Sequence, residues 1–253
     1  GTDLDKLALS MEKLLAGTDS KITTVGYYCN PIQYAEHRKT LENVICTAGK
    51  FGATHVSTFA GAWEGKPVES AYEEFGKVFR ELADLAEEKG VKLGIENCLM
   101  DGTWEHATCN IGFNPKAWEV MFEEVKNDNF GLEWEPTHQM VQLIDPVTEL
   151  RKWCKKIVHI HGKDATIDWD AVRHSGISGA VPFVWHRMPG FGDTNWRDII
   201  SILRSNGYED DICIEGYHDP VYSGELEMTG QLHALNYLKW CRGGDFTPTP
   251  WAK

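Results

Sequence analysis

The chain has 253 residues and a formal net charge of −13 at pH 7, with no basic cluster, so a phosphate backbone is repelled and nucleic acid is not expected as a partner. No apolar run approaches membrane-spanning length and no charged-then-apolar signal opens the sequence, which predicts no membrane span and a cytoplasmic protein. Seven cysteines without a CxxC pair predict reduced thiols rather than a disulfide framework or a zinc ribbon.

The first element is a helix in "LDKLALSMEKLL" (4–15), ended by Gly17. "ITTVGYY" (22–28) reads as a strand, and a helix follows from about 34 to 50 with Leu41, Val44 and Ile45 on one stripe. "THVSTFAG" (54–61) is the next strand. The helix after it, about 68–89, spaces Phe75, Val78, Phe79, Leu82 and Leu85 helically and stops at Gly90. "VKLGIEN" (91–97) is a strand, and Asn114-Pro115 then opens a helix as N-cap and first-turn proline. "FGLEWEP" (130–136) is a strand, and Asp145-Pro146 repeats the helix-start chemistry, with Leu150, Trp153 and Cys154 on the buried side. "IVHIHGKD" (157–164) is a strand leading into a long loop. A helix at about 195–205, the strand "DICIEG" (211–216) and a helix at about 226–240 complete the order.

Six strand–helix units in succession predict an α/β protein with a parallel sheet and outer helices, most simply a (β/α)8 TIM barrel forming a single domain over residues 1–253. A full barrel needs about eight strands, and residues 1–20 offer only a helix. The first two strands have no candidate. The expectation is an N-terminally shortened chain that aggregates alone, or recruits the missing strands from a separate segment or partner.

The strand ends carry the chemistry. Glu96 closes "GIE", Glu135 closes "GLEWE", His161 closes "IVHIH" and Glu215 closes "ICIE". Alternation puts Glu133 with Glu135 and His159 with His161, opposite Leu132, Trp134, Val158 and Ile160. In a barrel the apolar side meets the helices, so the polar side points inward, and reacting groups sit at the C-terminal rim. Three buried carboxylates and an imidazole there call for a compensating cation. The donor set favours a fairly hard divalent ion, Mn²⁺ first, with Co²⁺, Mg²⁺ or Zn²⁺ as alternatives. His161 is then a ligand, and His159, one layer deeper, a core histidine or a support for the ligands.

The stretches "GIEN", "GLEWEPTH", "HIHGKD", "MPGFGDTNW" and "GYEDDICIEGYHDP" together resemble the xylose isomerase-like barrel family of sugar (phosphate) isomerases and epimerases, which includes endonuclease IV. The resemblance implies one divalent ion held by Glu96, Glu135, His161 and Glu215, with Glu96 and Glu215 exchanging a substrate proton. It also implies that His138, three residues after the second ligand, touches substrate oxygens or completes the site. The family usually has Asp where this chain has Glu135. The activity implied is isomerisation or epimerisation of a sugar or keto-sugar beside its carbonyl, the metal stabilising an enediolate. A keto-sugar lyase would use the same site, as the first step of a β-elimination. Family members often pair, so the resemblance allows a homo-oligomer, and the sequence does not reveal the oligomeric state.

The remaining candidates lie on loops. Arg187 in "WHRMPGFGD" is read as an anchor for a carboxylate or several hydroxyls, or equally as a surface ion pair. Trp104, His106 and Asn110, after Glu96, cover substrate or simply pack their loop. Lys163 is expected to reach substrate and Asp164 to orient its neighbours. Two rival readings stand beside the enzyme. An endonuclease IV-like phosphodiesterase is disfavoured by the acidic charge and the few rim histidines. A non-catalytic barrel subunit of a complex is disfavoured by paired glutamates that a retired site has no reason to keep buried.

Overall fold

The computed structural model of the chain describes residues 3–245 and 247–250. These form two compact units, one of residues 3–138 with 156–160 and one of residues 139–155 with the described residues from 161 onward.

The first unit opens with α1 (Leu4–Leu15), capped by Asp3, whose side chain accepts from the Lys6 N–H. None of its residues is buried, and Lys50, in the turn of residues 48–51, pairs with its Asp5. Then β1 (Thr24–Gly26), α2 (Ala35–Thr47), β2 (His55–Thr58), α3 (Tyr72–Glu88), β3 (Lys92–Glu96), α4 (Pro115–Glu124) and β4 (Phe130–Trp134) alternate regularly. A short α5 (Pro136–Met140) follows β4 directly, and β5 (Ile157–Gly162) gives its residues 157–160 to this unit. Here β1, β2, β3, β4 and β5 pair in that order, all parallel. Glu96 stands level with Glu133, and Glu133 with His159, so polar residues of neighbouring strands share one row.

The sequence dictates this locally. On α3, Phe75, Val78, Phe79 and Leu82 of the predicted stripe are buried, and Leu85 is half-buried. Phe75 and Phe79 stack at 4.6 Å, and both approach Phe130 of β4 at 6.3 and 6.0 Å. Each such ring removes enough apolar surface to contribute about 1.5–3 kcal/mol, which fixes α3 against β4. The start of α4 follows the reading from Asn114-Pro115: the Asn114 side chain accepts from the Lys116 and Ala117 N–H groups. Register slips by one residue between Leu132 and Glu133, which pair with Ile157 and His159. Beside that bulge β5 crowds β4, and a Cβ on Gly131 would meet the Lys156 carbonyl and lie 2.6 Å from Val158 Cγ1. Only glycine fits there.

The second unit holds α6 (Pro146–Trp153), β6 (Asp164–Ile167), α7 (Trp169–Ser175), β7 (Val184–Arg187), α8 (Trp196–Ser205), β8 (Ile212–Ile214) and α9 (Glu227–Cys241). Asp145 caps α6 by accepting from the Thr148 N–H at 2.6 Å. The end of β5 meets the end of β8, where Glu215 N–H donates to the Gly162 carbonyl at 3.1 Å. The long loop expected after residue 164 is in part a separate antiparallel ribbon. β6 pairs with β7, Asp164 opposite Arg187 and Ile167 opposite Val184. α7 and the glycine- and proline-bearing stretch 176–182 separate these two four-residue strands, so their pairing is a tertiary event and not a tight hairpin. Among the described residues no helix is long and apolar enough to cross a membrane.

Candidate functional site

In the first unit, Glu96 ends β3 and Glu135 follows β4; they are 8% and 0% exposed. A carboxylate oxygen of one lies within 4.8 Å of a carboxylate oxygen of the other. Two ionised carboxylates at 4.8 Å repel by roughly 3–4 kcal/mol at an effective dielectric of about 20. A divalent cation between them removes that penalty, so this donor pair fits a metal ion.

Two asparagines hold these carboxylates in place. Asn97 donates from Nδ2 to the Glu135 carbonyl at 2.9 Å and accepts the Glu135 N–H on Oδ1 at 2.7 Å. This reciprocal pair ties the end of β3 to the end of β4. Asn110 is fully buried and uses all four of its hydrogen bonds on backbone. Its Nδ2 donates to the Glu96 and Cys98 carbonyls at 2.9 and 2.8 Å. Its Oδ1 accepts from the Ala60 and Gly112 N–H groups at 2.9 and 3.0 Å. Asn110 therefore positions the segment that carries Glu96. His138, in α5, sets Nε2 3.3 Å from Glu135 Oε1.

Below them Glu133 and His159 are buried, in a polar cluster that reaches out to the exposed Tyr28. Tyr28 donates its hydroxyl to Glu133 Oε2 at 2.8 Å, and Glu133 Oε1 lies 3.8 Å from His159 Nε2. His159 Nδ1 is 3.4 Å from Thr24 Oγ1, and its ring centroid is 5.9 Å from that of His55. His159 is thus packed in the core beside Glu133, as its depth in the strand predicts. Of the remaining loop candidates of this unit, Trp104 donates its indole N–H to Glu69, and His106 is exposed.

In the second unit, His161 Nδ1 lies 3.1 Å from Glu215 Oε2, and Lys163 Nζ donates to Glu215 Oε1 at 2.9 Å. Burial works to raise the Glu215 carboxyl, but the hydrogen bond from His161 and the Lys163 ammonium outweigh it and hold the group well below the usual carboxylate range. Lys163 itself is only 3% exposed. A buried ammonium of this kind stays only where a carboxylate answers it.

Asp164 and Asp219 shape the loops. Asp164 is fully buried and accepts four backbone N–H groups: Ala165 and Thr194 on Oδ1, Gly190 and Gly192 on Oδ2. Burial pushes its carboxyl up against the downward pull of those donors. Asp219 Oδ2 accepts from the Met188 N–H at 2.7 Å and faces Arg187 Nε at 3.3 Å. Its Oδ1 accepts from Val221 and Tyr222 N–H groups, both at 2.8 Å. Burial raises the Asp219 carboxyl, and the Tyr222, Met188 and Val221 amides, with Arg187, bring it below its ordinary value. Arg187 also lies over the Phe191 ring at 5.8 Å. The sequence reading missed Asn97, Tyr28 and Asp219. Asn97 is adjacent to a strand-end glutamate and Asp219 precedes a proline, the only local hints.

The family described as xylose isomerase-like TIM barrel matches residues 2–239, and the chain belongs to it. Its (β/α) barrel class is as the alternation of elements predicts. An inosose dehydratase of Clostridium tetani is 26% identical over 70% of this chain and 57% of its own length. An inosose dehydratase of Clostridium perfringens is 23% identical over 90% of this chain and 76% of its own length. The chain thus spans little more than half of the first of these relatives. The crystal structure of the IOLI protein with a zinc atom is similar in fold, with TM-score 0.65 and 21% identity over 95% of this chain and 80% of that one.

Proposed function

We propose that this chain is a divalent-metal-dependent enzyme that removes water from a keto-polyol or keto-sugar, by proton abstraction beside the carbonyl and β-elimination. The carrying observation is the buried pair Glu96 and Glu135, whose mutual repulsion a metal ion relieves. Glu96, Glu135, His161 and Glu215 are the proposed ligands. The three carboxylates and one imidazole suit Mn²⁺, and the zinc atom bound by the IOLI protein makes Zn²⁺ the alternative. The metal, when bound, supplies Lewis-acid polarisation of the substrate carbonyl.

The remaining chemistry belongs to side chains. Glu215, held ionised by His161 and Lys163, takes the proton from the carbon beside the carbonyl. Glu96 relays a proton from solvent to the departing hydroxyl, so one water leaves and a carbon–carbon double bond forms, and Glu215 returns the proton it took to solvent. Lys163 keeps its ammonium against Glu215 and steadies the charge. Asp219 orients Arg187, which is proposed to hold substrate oxygens.

Elimination is preferred to isomerisation or epimerisation because inosose dehydratases recur among the curated relatives, from Clostridium, Histophilus and Bacillus among others. Epimerisation uses the same two glutamates, with the proton returned to carbon. Free thiols at Cys29, Cys46, Cys109, Cys154 and Cys241 support a reducing, cytoplasmic setting.

The test uses the purified chain loaded with Mn²⁺ and supplied with an inosose in deuterated water. Loss of one water by mass spectrometry, abolished in Glu215→Gln and Glu96→Gln, is the expected result. Deuterium entering an otherwise intact substrate would replace elimination by isomerisation or epimerisation. Neither exchange nor water loss, with metal bound, would overturn the enzyme reading.

A further inference from the structure

Glu96 belongs to a second donor set. One ligand atom each from Glu96, Cys98 and His138 lies within 4.8 Å of the other two, and all three residues are in the first unit. Donors around tetrahedral zinc stand roughly 3.3–3.8 Å apart, given bonds of about 2.0–2.3 Å. The three side chains therefore need to close in by only about an ångström.

The setting is built rather than incidental. Glu96 and His138 are both 8% exposed, and Cys98 is half-buried. Asn110 fixes the backbone carbonyls of both Glu96 and Cys98, so the segment bearing two of the donors is held rigid. Glu135 Oε1, 3.3 Å from His138 Nε2, gives the imidazole the carboxylate partner that commonly orients a metal-binding histidine. The half-exposed position of Cys98 leaves room for water as a fourth ligand.

A thiolate alters which metal is chosen. Mn²⁺ and Mg²⁺ prefer oxygen, whereas a sulfur–nitrogen–oxygen set selects zinc-class ions. We propose that Glu96, Cys98 and His138 form a site for a thiophilic divalent cation of the zinc class, sharing only Glu96 with the carboxylate-rich set. Binding forms the metal–sulfur bond as the Cys98 thiol loses its proton to solvent. An ion here takes Glu96 away from proton transfer, so zinc-class metals should inhibit an enzyme activated by manganese.

The full chain, stripped of metal and titrated with Co²⁺ alone, tests this. Thiolate-bound cobalt absorbs in the near ultraviolet by charge transfer, a band that carboxylate and imidazole sites lack. The expected result is a saturable band, lost in Cys98→Ser and weakened at least tenfold in affinity in His138→Ala, but retained in His161→Ala. No band at saturating cobalt, or a band undiminished in Cys98→Ser, would overturn the site. Loss of the band in His161→Ala as well would mean that Cys98 joins the four-residue set instead of a site of its own. Failure of His161→Ala to lower total metal content would count against the proposed function and leave this inference standing. Far-UV circular dichroism of each variant separates loss of ligand from loss of fold.

Discussion

Replacing Asn110 probes how the segment bearing Glu96 is held. Asn110→Ala leaves the Ala60 and Gly112 N–H groups, and the Glu96 and Cys98 carbonyls, without their side-chain partner. Each buried donor deprived of its acceptor costs about 1–3 kcal/mol. The two N–H groups alone give about 2–6 kcal/mol, and a water entering the vacated volume recovers part of it. The expected loss is about 3–5 kcal/mol in urea unfolding at pH 7, followed by circular dichroism. Asn110→Asp separates the two halves of the clamp. It still accepts from Ala60 and Gly112, but turns a carboxylate oxygen toward two carbonyls, which disfavours the ionised form in the folded state. The folded-state pKa of that aspartate is then raised, so its stability falls as pH rises from about 4, the unfolded value, to the folded value. Relative to the parent chain, the Asp variant should be least impaired in acid. An Ala variant within 1 kcal/mol of the parent, or an Asp variant whose deficit ignores pH, would refute the account.

Three further outcomes are expected. Glu135→Gln should invert its effect with metal: stabilising by about 1–3 kcal/mol in EDTA, where it relieves repulsion from Glu96, and destabilising relative to the parent under saturating Mn²⁺; parallel thermal melts showing the same sign in both conditions would be the contrary result. Asp219 has its carboxyl held below the ordinary 3.8, so its stabilisation is present above about 4 and lost as pH falls through the folded value. The stability gap between parent and Asp219→Asn should therefore shrink from pH 5 downward in a series of urea melts, and a gap independent of pH would exclude the mechanism. Lys163→Met removes an ammonium 2.9 Å from Glu215 and lets that carboxyl rise toward its ordinary range; the acid limb of kcat/KM should move to higher pH by about a unit or more, and an unmoved limb would deny Glu215 the role of base.

What could be read from the sequence, and what could not, divides by the range of the forces involved. The helix starts at Asn114-Pro115 and Asp145-Pro146 were legible because the cap bonds close within three residues. Period-two alternation likewise put Glu133 and His159 on one side of their strands, and they do pair across β4 and β5. The Tyr28 hydroxyl on Glu133 spans 105 residues and has no local signature. From sequence Asn110 is read as covering substrate or packing its loop, and its four backbone partners come from groups that the fold gathers around it. The same holds for Asp164, whose four amide donors include three from residues 190–194 that the β6–β7 ribbon brings back to its start. Charged side chains at strand ends could be named as candidates because burying them demands a compensating partner. Which partner each one takes is decided by neighbours brought together in space. In this chain those neighbours are two amides and two carboxylates that fix the backbone around Glu96, Glu135 and the Arg187 end of β7.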